Sequence, residues 1–242
     1  MNIIKLETIN STNSWLADNE RNLQSPCLVY CVTQTAGRGQ RGNSWESEPG
    51  KNITASLLFH PHNFPAIRQF TISEAIALAI TDFINSFGVS AKIKWPNDIY
   101  IENKKVCGIL VENCILGNNI TRTIAGFGIN INQMQFVSDA PNPVSIALLT
   151  GQFYNIDLYV RKLSEYLQKY LDFLDNPDLL HQRFLEALWR HDQKPHHFYD
   201  RKTDENIRAI IKAVETDGIL TLITQKGEER RYAFKEVEWL MS

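Results

Sequence analysis

The chain has 242 residues, 43% hydrophobic and 10% aromatic, enough to bury a core and too apolar for a disordered spacer. Its 25 basic and 27 acidic residues give a formal charge of −2, which leaves no footprint for general nucleic-acid binding. No apolar run reaches the roughly 18–20 residues that span a bilayer, and the opening MNIIKLETINSTN lacks a charged segment followed by an apolar one; neither membrane insertion nor secretion is expected.

In chain order, apolar alternation and β-branched residues predict strands over 27–34, 53–60, 91–94, 98–102, 106–113 and 121–131. Between the second and third, apolar residues recur at spacings of three and four from Phe70 to Phe87, predicting a buried helix over about 66–87. Helices near 156–174 and 177–191 follow, the latter opening with Pro177 just past Asn176, a suitable N-cap. From His191 the stretch HDQKPHHFYDRKTDEN is polar and aperiodic and reads as a linker, with His196 and His197 as loop residues. Beyond it, short strands are punctuated by Asp217-Gly218 and Lys226-Gly227. The expectation is an α+β chain: a larger domain over 1–191 and a small β-barrel over 192–242. On one strand, Cys27 and Cys31 would lie roughly 13 Å apart at about 3.3 Å per residue, too far for a disulfide. With Cys107 and Cys114 they read as reduced thiols of a cytosolic protein.

Gly37-Arg38-Gly39-Gln40-Arg41-Gly42 spells the dinucleotide fingerprint G-x-G-x-x-G, but its context is wrong. A strand precedes it, yet Pro49-Gly50 and another strand follow where a helix should open. What remains is a glycine-rich loop between strands carrying Arg38 and Arg41, suited to an anion and equally readable as a solvated turn. Three further stretches concentrate chemistry. KWPND, Lys94 to Asp98, sets a cation, an indole, a proline and polar acceptors between two strands. KKVCGILVE puts Lys105 at the head of an apolar strand. GFGININ ends a strand with two glycines and two amides.

Together with Ser11-Thr12-Asn13, these motifs resemble, in order and spacing over roughly residues 5–132, the biotin–protein ligase (biotin–[acetyl-CoA-carboxylase] ligase) family. The resemblance implies a class II synthetase-like catalytic domain with a mixed β-sheet and helices, followed by an SH3-like β-barrel. It implies activation of biotin by ATP to biotinyl-5′-AMP, with Mg²⁺ carried by the nucleotide rather than in a protein cage. It further implies transfer to a lysine of a biotin carboxyl carrier protein or domain of acetyl-CoA carboxylase or a related carboxylase. No nucleic acid or membrane partner is implied, and the molecule would be a monomer or homodimer in the cytoplasm.

By the same resemblance, Ser11, Thr12, Asn13, Gln34, Gly37, Arg38, Gly39, Gln40, Lys105 and Gly108 line the biotin site, with Arg38 and Lys105 catalytic. Arg41, Trp45, Lys94, Asn97, Asp98 and Asn130 serve ATP, Asp98 either positioning nucleotide and metal or capping the turn. Glu236 resembles a glutamate of the terminal module. Arginines frequent in the family are replaced here by Gln40 and Asn43, implying looser retention of the adenylate. Only ten residues precede Ser11, leaving no room for the DNA-binding domain that some members carry. A lipoate–protein ligase-like enzyme and a non-catalytic biotin or nucleotide sensor are the competing readings.

Overall fold

Residues 1–39, 44–137 and 142–240 are described in a computed structural model. The larger sheet holds β1 (Asn2–Ile9), β2 (Cys27–Gln34), β3 (Ile53–Phe59), β4 (Phe64–Pro65), β5 (Ala91–Lys94), β6 (Asp98–Ile101), β7 (Lys104–Leu116) and β8 (Asn119–Ile129). Its order is β1-β2-β3-β8-β7-β6-β5, with β4 paired to β8. The edge pair β1–β2 is parallel and the others antiparallel, so the sheet is mixed. All six predicted strands are present. β1 escaped the pattern because, as an edge strand, it has no fully buried residue to mark one face.

Strand alternation divides this sheet into two surfaces. Leu28, Tyr30, Leu57 and Phe127 pack with α2 (Gln69–Asn85), α4 (Ile156–Leu171) and α5 (Pro177–Ala187). Cys27, Val29, Leu58 and Ile124 meet Leu16 of α1 (Thr12–Asn19) on the other side. α2 is the central helix; Ile72, Ile80, Phe83 and Ile84 are fully buried, each contributing about 1.5–3 kcal/mol by removal from water. α1 has a single fully buried apolar residue and no apolar period, which hid it from sequence reading. The predicted N-cap is present: the Asn176 side chain accepts the Leu179 amide at 3.4 Å, ahead of Pro177. A short α3 (Ile146–Thr150) is capped likewise by Ser145.

The second sheet is antiparallel, with β9 (His196–Asp200), β10 (Glu205–Val214), β11 (Leu220–Thr224), β12 (Glu229–Tyr232) and β13 (Val237–Trp239) in the order β12-β11-β10-β9-β13. The expected linker is therefore corrected: it contains β9 and the start of β10, and His196 and His197 are strand residues. One of the two inward positions on β9 is a carboxylate. Asp200, 1% exposed, accepts the Tyr232 hydroxyl at 2.6 Å, Arg230 Nη1 at 3.0 Å and the Lys202 amide at 2.9 Å. An acid standing where a hydrophobe would mark the strand erased the pattern. All four cysteines are free; Cys27, Cys31 and Cys107 are buried, and burial pushes the Cys31 thiol up to about 11.

Candidate functional site

The face of the larger sheet shared with α1 is bare in its middle. Phe127 and Ile129 alternate inward to α2, so Gly126 and Gly128 point the other way; across the ladder Gly108 pairs Gly128 and Leu110 pairs Gly126. This face floors a cavity of about 1180 Å³. The missing side chains make its depth. A Cβ on Gly126 would lie 2.2 Å from Asn13 Oδ1, and one on Gly128 would lie 2.1 Å from Trp45 Cε2.

Of the residues singled out in the sequence, Ser11, Thr12, Asn13, Gln34, Arg38, Gly39, Trp45, Lys94, Asn97, Asp98, Lys105, Gly108 and Asn130 line this one cavity. Gly37 sits behind its wall, its carbonyl accepting the Trp45 amide at 3.1 Å. Gln40, Arg41 and Asn43 lie outside the described residues. Glu236 does not reach the cavity wall; its carboxylate accepts the Ala233 amide at 2.7 Å and pairs with Lys202 at 2.6 Å, closing a turn of the second sheet.

One end of the cavity is an interlocked set of hydroxyls and amides backed by one ion pair. The start of α1 brings Thr12 to Gln34, whose Oε1 accepts the Thr12 amide at 2.9 Å and its hydroxyl at 3.2 Å. Beneath them the fully buried Ser56 hydroxyl lies 2.6 Å from Thr12 Oγ1 and also reaches Asn13 Oδ1. Asn13 Nδ2 donates to Glu112 Oε2 at 2.7 Å, and Arg38 Nη2 bonds the same oxygen at 3.2 Å. Sequence reading missed Ser56. The signal was available: Thr54 and Ser56 are two hydroxyls on one face of the otherwise apolar strand ITASLLF.

The other end is cationic. Lys105 Nζ lies 2.7 Å from Asp98 Oδ1 and 5.7 Å from the Trp45 ring centre. Strict alternation would send Lys105 to the same side as the buried Cys107. The ladder slips there, Ile99 pairing Cys107 and Tyr100 pairing Lys105, so Val106 is an extra residue and the lysine turns to the cavity. Lys94 Nζ stands 4.9 Å over the Tyr100 ring; burial holds it below the usual lysine range, with Asp98 opposing the shift. Asn97 Nδ2 donates to the Ile109 carbonyl at 2.6 Å, which anchors the turn. Asn130 is 2% exposed and its Nδ2 bonds the Val144 carbonyl at 3.2 Å, while its Oδ1 is buried without a partner. Trp45 Nε1 is a second buried, unpartnered atom, a donor.

Two further walls were not legible in the sequence. Arg201, Lys235, Glu238 and Trp239 of the second sheet line the cavity. Glu46 Oε1 accepts from Gln133 Nε2 and from the Val137 amide, both at 3.0 Å, joining the segment after the glycine loop to the one carrying Phe136.

Comparison with known proteins agrees with this geometry. The bifunctional ligase/repressor BirA of Salmonella typhimurium is 29% identical over 233 residues, covering 93% of this chain and 70% of that protein. The biotin–[acetyl-CoA-carboxylase] ligase of Paracoccus denitrificans is 33% identical over 129 residues, 52% of this chain and 53% of that one. The chain spans only 39% of the length of BirA from Escherichia coli and from Bacillus subtilis. Among solved structures, biotin protein ligase from Aquifex aeolicus in complex with biotin and ATP superposes with a TM-score of 0.81 at 21% identity, over 100% of this chain and 99% of that one, and shares the fold. The model of the biotin/lipoate A/B protein ligase family matches residues 5–130, more than half of the sequence, and the chain belongs to that family.

Proposed function

We propose that the protein is a biotin–protein ligase. The carboxylate of biotin attacks the α-phosphorus of ATP, the bond to the bridging oxygen breaks, and biotinyl-5′-AMP and pyrophosphate form. The ε-amine of a carrier-domain lysine then attacks the acyl carbon, AMP leaves, and the amine sheds its proton. The observation that carries the reading is the arrangement of one cavity: a hydrogen-bonding pocket at Ser11, Thr12, Asn13 and Gln34 backed by the Glu112–Arg38 pair, a glycine floor, and Lys105 and Lys94 with Asp98 at the other end.

That order matches the physical problem. A ureido ring needs donors and acceptors, and the interlocked hydroxyls and amides supply them, with the Glu112–Arg38 ion pair one bond further back. Carboxylate and polyphosphate repel, by about 1 kcal/mol per charge pair at 4 Å in water and about 4 kcal/mol at a surface-like dielectric of roughly 20. Lys105 stands where the two anions meet. Its bond to Asp98 holds the ammonium in place before either ligand arrives, so little reorganisation accompanies the reaction. Trp45 covers the glycine floor, lying over Gly108 and Gly128. Lys94 and Asn97 serve the nucleotide.

Magnesium fits as a passenger of the triphosphate. Asn130 Oδ1, a buried acceptor without a partner, and the Asp98 carboxylate are the oxygens that would help hold it, and it would supply charge neutralisation on the phosphates. We further propose that residues 1–191 form the catalytic unit and 192–242 an SH3-like module, that the partner is a biotin carboxyl carrier domain, and that the enzyme works in the cytoplasm as a monomer or homodimer. No helix among the described residues is long and apolar enough to cross a membrane.

The test is biotin-dependent exchange of labelled pyrophosphate into ATP, followed by the mass of a purified carrier domain after incubation with biotin and ATP. Exchange and a gain of one biotinyl group are expected; a carrier of unchanged mass overturns the proposal.

A further inference from the structure

The turn joining β5 to β6 carries Lys94, Asn97 and Asp98 to the cavity, and its tryptophan, which also lines the cavity, is bonded to the second sheet. Trp95 is 1% exposed. Its indole N–H donates to the Gly218 carbonyl at 2.9 Å, in the hairpin between β10 and β11. Its carbonyl accepts the Trp239 indole N–H of β13 at 3.3 Å. Its ring meets Phe234 edge-on at 5.3 Å. One residue of the turn is thus held from three sides by the second sheet.

The hairpin end of this clamp is itself fixed. Gly218 has φ +90°, and a Cβ there would come within 2.7 Å of Phe70 Cδ2 on α2. Phe70 in turn meets Phe184 of α5 edge-on at 5.5 Å and Phe234 at 6.3 Å. Behind the turn is a void of about 60 Å³ lined by Pro96 and Asn97, by Ser73 and Ala77 of α2, by Ile109 and Val111 of β7, and by Phe234. The turn is therefore held from two directions: Asn97 bonds the Ile109 carbonyl of β7, and Trp95 bonds the second sheet.

Lys94 and Asp98 face each other across the hairpin, and Asp98 holds Lys105. A displacement of Trp95 would act on Lys94 and Asp98 through the turn, and on Lys105 through its bond to Asp98. The hydrogen-bonding pocket is different: Thr12 and Asn13 are held by Gln34, Ser56 and Glu112, all in the larger sheet. We infer that Trp95 is a positioning residue through which the second sheet sets the nucleotide end of the site and leaves the biotin end alone. The inference rests on the functional reading above.

The experiment is calorimetric titration of the full-length wild type, Trp95→Phe and Gly218→Ala with ATP and with biotin separately, with thermal melts as the folding control. Trp95→Phe keeps an aromatic ring but removes the indole donor; Gly218→Ala perturbs the hairpin from outside the cavity. A folded variant is expected to bind ATP roughly five- to tenfold more weakly, the scale of one lost buried hydrogen bond, with biotin affinity within about twofold of wild type. ATP affinity unchanged in the folded variants, or equal weakening of both ligands, overturns the inference. So does failure of both variants to fold, which makes the clamp purely structural; if one folds, it decides. A wild type that binds neither ligand overturns the functional reading and this inference with it, whereas a wild type that binds both, matched by its variants, overturns this inference alone.

Discussion

At the scale of single residues, the cavity separates two kinds of work. Lys105 is a cation at a cleft rather than a packing residue, so Lys105→Ala should leave the melting temperature near wild type. Biotin-dependent pyrophosphate exchange should fall by about 100-fold or more, the usual loss when one preorganised charge-stabilising group is removed. Near-normal exchange by the folded variant would end its assigned role. Ser56 works from beneath. Its hydroxyl is fully buried between Thr12 and Asn13. Ser56→Ala leaves these groups without that partner, and the KM for biotin should rise roughly tenfold with little change in the KM for ATP. Equal KM values for biotin in the two proteins would show that Ser56 only fills space. The lysine was legible in the sequence as chemistry but not as geometry: KKVCGILVE marks a cation at a strand head, while its direction depends on the slipped pairing at Val106, which no periodicity reveals.

At the scale of elements, the predicted strands and long helices came through because each presents a continuous apolar face to one core. β1, α1 and β9 did not, each for lack of such a face: β1 lies at the sheet edge, α1 buries one leucine, and β9 turns a carboxylate inward. That carboxylate has a measurable consequence. Burial pushes the Asp200 carboxyl up, but the bonds from Tyr232, the Lys202 amide and Arg230 outweigh it and hold the group below the usual carboxylate range. A lowered folded value means stability that is present above the unfolded value of about 4 and lost as the pH falls through the folded one. Asp200→Asn should cost about 1.5–3 kcal/mol at neutral pH, since the lost bonds are to a charged group. Its denaturation midpoint should also fall less steeply on acidification below about pH 4 than that of the parent. Superimposable acid limbs for the two proteins would remove Asp200 from the account.

At the scale of the whole molecule, Phe70 links α2, α5 and the second sheet through its contacts with Phe184, Phe234 and Gly218. Phe70→Ala should destabilise the protein by about 3–5 kcal/mol in denaturant titration. Because both sheets lean on that ring, loss should register in probes of either one; a change confined to the second sheet would mean that the two unfold independently. The joint between the sheets was the least legible feature of the sequence. KWPND reads as a site motif, and its tryptophan turns out to serve the contact with a distant hairpin, a partnership across more than a hundred positions that no local pattern encodes. The same long span has a temporal meaning. The walls of the cavity draw on Ser11 and on Trp239. The chamber therefore gains its last described wall only when β13 takes its place, and a chain cut short of that strand would leave one side of the vessel missing.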